Sequence, residues 1–183
     1  MRIRVASECV HVTALALWLG AAVISGVNAA IVFPTIKAID PRLPEYGAYS
    51  GEHWRIAGGV LAAAVFGVAL KIEIVCGATA VVSAFLGGKG SFAGVWGRAR
   101  AVGLIASMVV LVYFVAVLNP RMSREMEAFH TQARLGDNAG AAEHRAAFDR
   151  DHPQASGVLV AESLTVLLSL ISAAAVMARR GRA

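Results

Sequence analysis

Four long apolar runs dictate what this chain can fold into. They extend from Val10 to Phe33, Ile56 to Leu86, Ala101 to Leu118 and Gly157 to Met177. Each can cross a bilayer core of about 30 Å at about 1.5 Å of rise per helical residue. A backbone in hydrocarbon has to satisfy its own hydrogen bonds, so runs of this kind form helices. With 57% hydrophobic and 16% charged residues over 183 positions, the chain is too apolar for a soluble domain of this size. The expected fold class is all-α, an integral membrane four-helix bundle forming one domain over residues 1–183. The second run is the longest and has to tilt, protrude or break.

Charge placement sets the expected orientation. Arg2 and Arg4 precede the first run as in a signal peptide, but Glu8 and His11 interrupt it and it continues beyond an ordinary apolar core, so it reads as a retained span. With Glu8 assigned to that span, the N-terminal segment (Arg2, Arg4), the second connection (Lys89, Arg98, Arg100) and the C-terminal segment (Arg179, Arg180, Arg182) are basic without acids. The first and third connections mix basic residues with acids such as Asp40, Glu52, Glu125 and Asp151. The third is long, and long connections translocate largely regardless of charge. Both termini are thus expected in the cytoplasm, in a multi-pass protein of an inner (plasma) membrane of bacterial type. The net charge of +5 belongs to this topology, because no stretch interleaves aromatic and basic residues as a nucleic-acid surface does.

The third connection has its own helical pattern. Pro120 suits a helix start, and Met122, Met126, Phe129 and Ala133 share one face. Leu135 to Asn138 breaks the pattern, and Ala141, His144, Phe148 and His152 share a second face before Pro153. A helical hairpin over about residues 120–152 is expected to cap the outer end of the bundle.

Ionisable groups inside the spans are the candidate functional residues, since a charge at bilayer depth costs about 2.5 to 3.5 kcal/mol even on the lenient insertion scale. They are Glu8, Lys71, Glu73 and Glu162, with His11 beside them. Glu8 and His11 share a face of the first span with the small-residue ladder Ala22, Gly26 and Ala30, which suits close helix packing. Lys71 continues a second ladder, Ala63 and Gly67, whereas Glu73 points to nearly the opposite side. Glu162 is the expected partner of Lys71. Such a pair either lines a proton or substrate path or fixes helix register, unless Lys71 snorkels to the interface.

The other polar signals are weaker. His53, His152 and His11 are the candidate metal or haem ligands; His53 and His152 precede spans on the same side, while His11 lies a span away, about 30 Å. The sequence has no H-x-x-x-H or C-x-x-C motif, so interfacial histidines without a cofactor are the plainer expectation, with haem or a transition metal as the alternative. Cys9 and Cys76 lie in apolar runs and behave as small hydrophobes. Trp54 and Trp96 flank spans as interfacial anchors, and Trp18 lies deep in the first span as a packing residue.

His11, Trp18, Gly20 and Phe33 on the first span, Asn119-Pro120-Arg121 leaving the third, and Phe148 with His152 entering the fourth resemble the transmembrane-protein-205-like family of four-span proteins. That family is similar in layout to copper-resistance D-type membrane proteins and membrane-bound protoporphyrinogen oxidases. The resemblance implies a four-helix fold and supplies no mechanism; Lys71 and Glu73 are outside its pattern. The sequence lacks a nucleophile elbow, a phosphate-cradling loop and a dinucleotide fingerprint. The leading expectation is therefore an accessory or transport-related membrane protein without catalysis of its own. It would be partnered by the lipid bilayer and by other membrane subunits or further copies of itself. A haem- or metal-associated oxidoreductase, with His11 and Lys71 near the cofactor, and an oligomeric solute or metal-ion transporter are the alternatives.

Overall fold

The computed structural model describes Arg2–Arg180, with the backbone alone for Arg2, Lys89 and Arg180. Arg182, one of the C-terminal basic residues, lies outside the described residues, as do the side chains of Arg2, Lys89 and Arg180. The fold is all-α. Helix α1 covers Arg2–Ile39, α2 His53–Leu86, α3 Gly94–Tyr113, α4 Asn119–Leu135 and α5 Asn138–Arg180. A π-helical turn, Phe114–Leu118, joins α3 to α4 without a break, and short 3-10 turns at Pro44–Tyr46 and Lys89–Phe92 lie in the other connections. Four stretches are long and apolar enough to cross a membrane: Ile3–Ile39, His53–Leu86, Gly94–Leu135 and Asn138–Arg179. The chain is a multi-pass membrane protein.

The helices overrun the apolar runs, and two prolines show why. Pro34 lies inside α1 and Pro153 inside α5. A proline removes one backbone donor and crowds the preceding turn, but a helix held on both sides survives that loss. Pro153 and Asp149, whose carbonyl would have received the missing hydrogen bond, are both exposed, so water can satisfy the carbonyl. Pro153 thus does not interrupt the chain. The second arm of the expected hairpin continues directly into the fourth span as one helix of 43 residues. The second run likewise stays unbroken, as a helix of 34 residues.

The turn between α4 and α5 follows from Gly136, whose φ of 75° is open to glycine without a Cβ penalty. The Gly136 and Asp137 amides close back onto carbonyls of the last α4 turn at 3.2 and 3.0 Å, as in a Schellman end. Asp137 then caps α5, its Oδ1 accepting from the Gly140 amide at 3.0 Å.

By contacts the chain forms two compact units, one of Met1–Ile24, Val68–Leu111 and Leu159–Ala183, the other of Ser25–Gly67 and Val112–Val158. In the first unit the exterior is apolar, with Val75, Ile105 and Leu164 more than 60% exposed. Its interior holds Leu15, Trp18, Ala80, Val166 and Ala173 together with buried serines and charges. That inside-out distribution suits a lipid solvent, in which small and polar residues bring helices together. Gly103 shows how close they come: a Cβ there would meet Ser169 Oγ at 2.8 Å and the Ser169 amide at 3.0 Å.

The second unit has a water-type core of Tyr46, Tyr49, Ile56, Phe129, Ala133 and Ala141, with Leu43 and Met126 packed against it. Phe129 and Ala133 are buried as the α4 periodicity expects, and Ala141 is the buried member of the α5 face. Arg121 grips Asp151 at 2.5 and 2.9 Å, and His144 Nδ1 meets Glu125 at 2.9 Å, pairing α4 with the start of α5. Glu52 pairs with Arg55, whose hydrogen bond holds the Glu52 carboxyl below its ordinary range. Trp54 is flanked by Lys37 and Arg55 at 5.5 and 4.8 Å from its ring, and in the first unit Arg179 lies 5.9 Å from the Trp96 ring. Cation–aromatic pairs of this kind fit the anchor role expected of both tryptophans.

Candidate functional site

Two layers of buried polar groups occupy the first unit. The first is built on Glu8 of α1, which is 4% exposed. Its Oε2 accepts from Arg100 Nη1 at 2.7 Å and its Oε1 from Ser91 Oγ at 2.7 Å. Arg100 Nε donates to His11 Nε2 at 3.1 Å, and His11 Nδ1 faces the Ala80 carbonyl at 2.8 Å. An imidazole that accepts at Nε2 and donates at Nδ1 is the neutral Nδ1–H tautomer. Ser7 Oγ donates to the Ser83 carbonyl at 2.5 Å, fastening α1 to α2 beside this network.

Local sequence explains the convergence. On α3, Arg100, Gly103, Leu104, Ser107 and Leu111 are buried at helical spacing, so Arg100 is turned inward by the face it belongs to. The missing side chain at Gly87 makes room, since a Cβ there would lie 2.5 Å from Ser91 Oγ and 3.1 Å from Glu8 Oε1.

The second layer lies about two turns further along α1. Trp18, fully buried, donates from Nε1 to Glu162 Oε1 at 2.8 Å. Glu162 of α5 and Glu73 of α2 are 2% and 4% exposed and lie within electrostatic reach of each other. Glu73 has no hydrogen-bond partner among the described residues, and no Lys, Arg or His pairs with either carboxylate there. Beneath Glu162, Thr165 Oγ1 accepts from Ser107 Oγ at 3.0 Å. Gly77 lets the Trp18 ring and Met108 approach, each 3.2 Å from where its Cβ would be.

Several sequence expectations are corrected here. Lys71 is exposed, as are Ala63 and Gly67, and a Cβ on Gly67 would meet nothing within 4 Å. The inward face of α2 is the one carrying Ala69, Glu73, Cys76 and Ala80. Lys71 therefore does not pair with Glu162, whose partner is the Trp18 indole. Two stripes of small residues exist on α2, and the one bearing the acid is the buried one. On α1 the ladder divides: Ala22 is buried, Gly26 half-buried and Ala30 exposed. Glu8, His11, Glu73 and Glu162 are all inside.

The histidine expectations change as well. His53 Nδ1 accepts from the Leu43 amide at 3.0 Å and its Nε2 faces the Tyr49 carbonyl at 3.1 Å, so both ring nitrogens are engaged. His152 is exposed and stacks on Phe148 with centroids 5.9 Å apart. His11 is engaged at both nitrogens too. None of the three offers an open nitrogen of the kind a metal or haem iron takes except the exposed His152, and no group of three or more His, Cys, Asp or Glu side chains among the described residues is arranged to hold a metal.

Sequence reading missed Arg100, assigned above to a cytoplasmic connection. The signal was present, because Arg100 falls in register with Gly103, Ser107 and Leu111 on the packing face of α3. It also missed the bond that makes Trp18 more than a packing residue.

Fold and site together define an all-α multi-pass membrane protein whose intramembrane charges, Lys71 apart, are turned inward. Comparison with protein-family models, curated proteins and solved structures finds no match to this chain.

Proposed function

We propose that this chain is a transport-related protein of an inner (plasma) membrane, with both termini in the cytoplasm, and that the interior of its first unit is a path for protons or a small cation. The observation that carries the reading is Glu73, a buried intramembrane carboxylate without a hydrogen-bond partner among the described residues, beside a second buried carboxylate. A structural carboxylate in hydrocarbon is paired and hydrogen-bonded, as Glu8 is, because an unpaired one is strongly disfavoured. A carboxylate kept without a partner has a purpose only if something comes to it. Glu8, Arg100 and His11, with fixed partners, hold the helices in register. Membership of the transmembrane-protein-205-like family is part of the same proposal and adds no mechanism to it.

The test is ion flux. Purified protein is reconstituted into vesicles loaded with a pH-sensitive dye, and a potassium diffusion potential is imposed with valinomycin. The reading expects dye response above that of empty vesicles, reduced at least tenfold by Glu73→Gln. Proton flux equal to that of empty vesicles, together with sodium entry no faster than into empty vesicles in a separate assay without valinomycin, contradicts it.

A further inference from the structure

The two carboxylates of the second layer present a problem of charge that the geometry itself resolves. Glu162 receives the Trp18 N–H at 2.8 Å, and the Trp18 ring also packs against Gly77, one turn from Glu73 on α2, so both buried carboxylates belong to the interior around Trp18. The groups closing this space are the Trp18 indole from α1, the Thr165 and Ser107 hydroxyls from α5 and α3, and the Met108 thioether from α3. Cys76, one turn from Glu73, is the other buried titratable side chain on the part of α2 that belongs to the first unit. None of these is cationic. Arg100 and His11, the nearest groups on α3 and α1 able to carry positive charge, lie about two turns away, about 10 Å, and are tied to Glu8 and to each other.

Two adjoining carboxylates in a medium of low dielectric do not both remain ionised without a counter-charge. What neutralises them is a proton or a bound cation. Donor chemistry separates the two. A hard metal cation takes about six or more oxygen ligands. Here Glu162 Oε1 already receives the Trp18 N–H at 2.8 Å. Thr165 Oγ1 receives the Ser107 proton and is itself directed to the Ala161 and Glu162 carbonyls at 2.9 and 3.0 Å. The side-chain oxygens left open are thus those of Glu73 and Glu162 Oε2, too few for a desolvated metal ion and sufficient for one proton.

We propose that Glu73 and Glu162 form an intramembrane proton-binding site that carries one exchangeable proton, with Trp18 as the positioning residue that fixes Glu162. Glu73, without a partner of its own, is the arm that gives up and receives the proton. That the proton is the transported species rests on the reading under Proposed function; the existence of the site does not.

A hydrophobic carbodiimide tests this, because it adds to protonated carboxyl groups within membranes. The acid proton passes to a carbodiimide nitrogen, the carboxylate oxygen bonds to the carbodiimide carbon, and rearrangement leaves a stable N-acylurea that mass spectrometry locates. Full-length protein in detergent is treated with dicyclohexylcarbodiimide over a pH series. The expected result is one adduct per chain, on Glu73, falling at least fivefold as the pH is raised through the site's titration and absent in Glu73→Gln. Sodium or lithium at constant pH should leave the yield unchanged. Protection by either ion overturns the proposal in favour of a metal-cation site, and the absence of an adduct on both Glu73 and Glu162 at every pH overturns it outright. Should Glu73→Gln fail to fold, the pH series and cation series on the unmodified sequence decide alone. Vesicles without proton flux but with the Glu73 adduct would remove the transport reading and leave the site. Flux without the adduct would do the reverse.

Discussion

Glu8 and Arg100 show how a charge survives at membrane depth. Each is buried, each meets the other at 2.7 Å, and Ser91 and His11 take up further hydrogen-bonding capacity. Removing one partner of such a pair leaves the other uncompensated, at a cost of about 3 to 5 kcal/mol, whereas removing both is milder. Thermal unfolding in detergent of Glu8→Gln, Arg100→Gln and the double variant should therefore show strong non-additivity; losses that simply sum would contradict the pairing. Trp18 is a gentler case. Trp18→Phe keeps most of the buried ring and deletes one N–H donor, and membrane hydrogen bonds of this kind contribute about 1 kcal/mol. A loss several times larger would mean that packing at Trp18, rather than its bond to Glu162, is what matters.

Among the elements, α3 and α5 are held at close range by a missing side chain. Gly103 leaves room for Ser169 Oγ and the Thr165 carbonyl, which a Cβ would meet at 2.8 and 3.1 Å. Gly103→Val should push the two helices apart and cost about 1 to 3 kcal/mol, as overpacking does. Its melting curve checks this, and an unchanged melting temperature would show that α3 and α5 are not so tightly apposed. The helices themselves were legible in the sequence because hydrocarbon forces a long apolar run into one local structure. Their ends were not, because Pro34 and Pro153 read as local stops, whereas each is exposed and removes only one backbone donor from its helix. Helix rotation was legible only in part. On α1 Glu8, His11 and Ala22 agree about which face is inward, although the same stripe has left the interior by Ala30. On α2 two small-residue stripes compete, and only contact with α1 and α5 decides in favour of Glu73 over Lys71. Arg100 was hidden for a different reason: a basic residue beside a span fits the topology rule and the packing face equally well.

At the scale of the whole molecule, orientation and the interior path belong together. The proposed orientation puts the basic connection around Lys89 and Arg98 in the cytoplasm and the turn between α4 and α5 on the opposite side. Cysteines introduced at Gly90 and at Ala139, both exposed, test this. In a chain whose own Cys9 and Cys76 are replaced by serine, an impermeant maleimide applied to intact cells should label Ala139→Cys and spare Gly90→Cys. The opposite pattern would invert the orientation. Asn138 is a poorer reporter despite its exposure, because its side chain accepts from the Ser50 amide and hydroxyl at 2.8 and 3.0 Å. The central claim is that the buried acids of the first unit hold a proton that exchanges with solvent. Infrared spectroscopy of the protein in lipid reads this most directly, through the carbonyl stretch of a protonated carboxylic acid and its downshift in heavy water. The account predicts such a band in the unmodified protein at neutral pH, shifted on transfer to heavy water and lost in Glu73→Gln. A neutral-pH spectrum without a protonated-carboxyl band would contradict it.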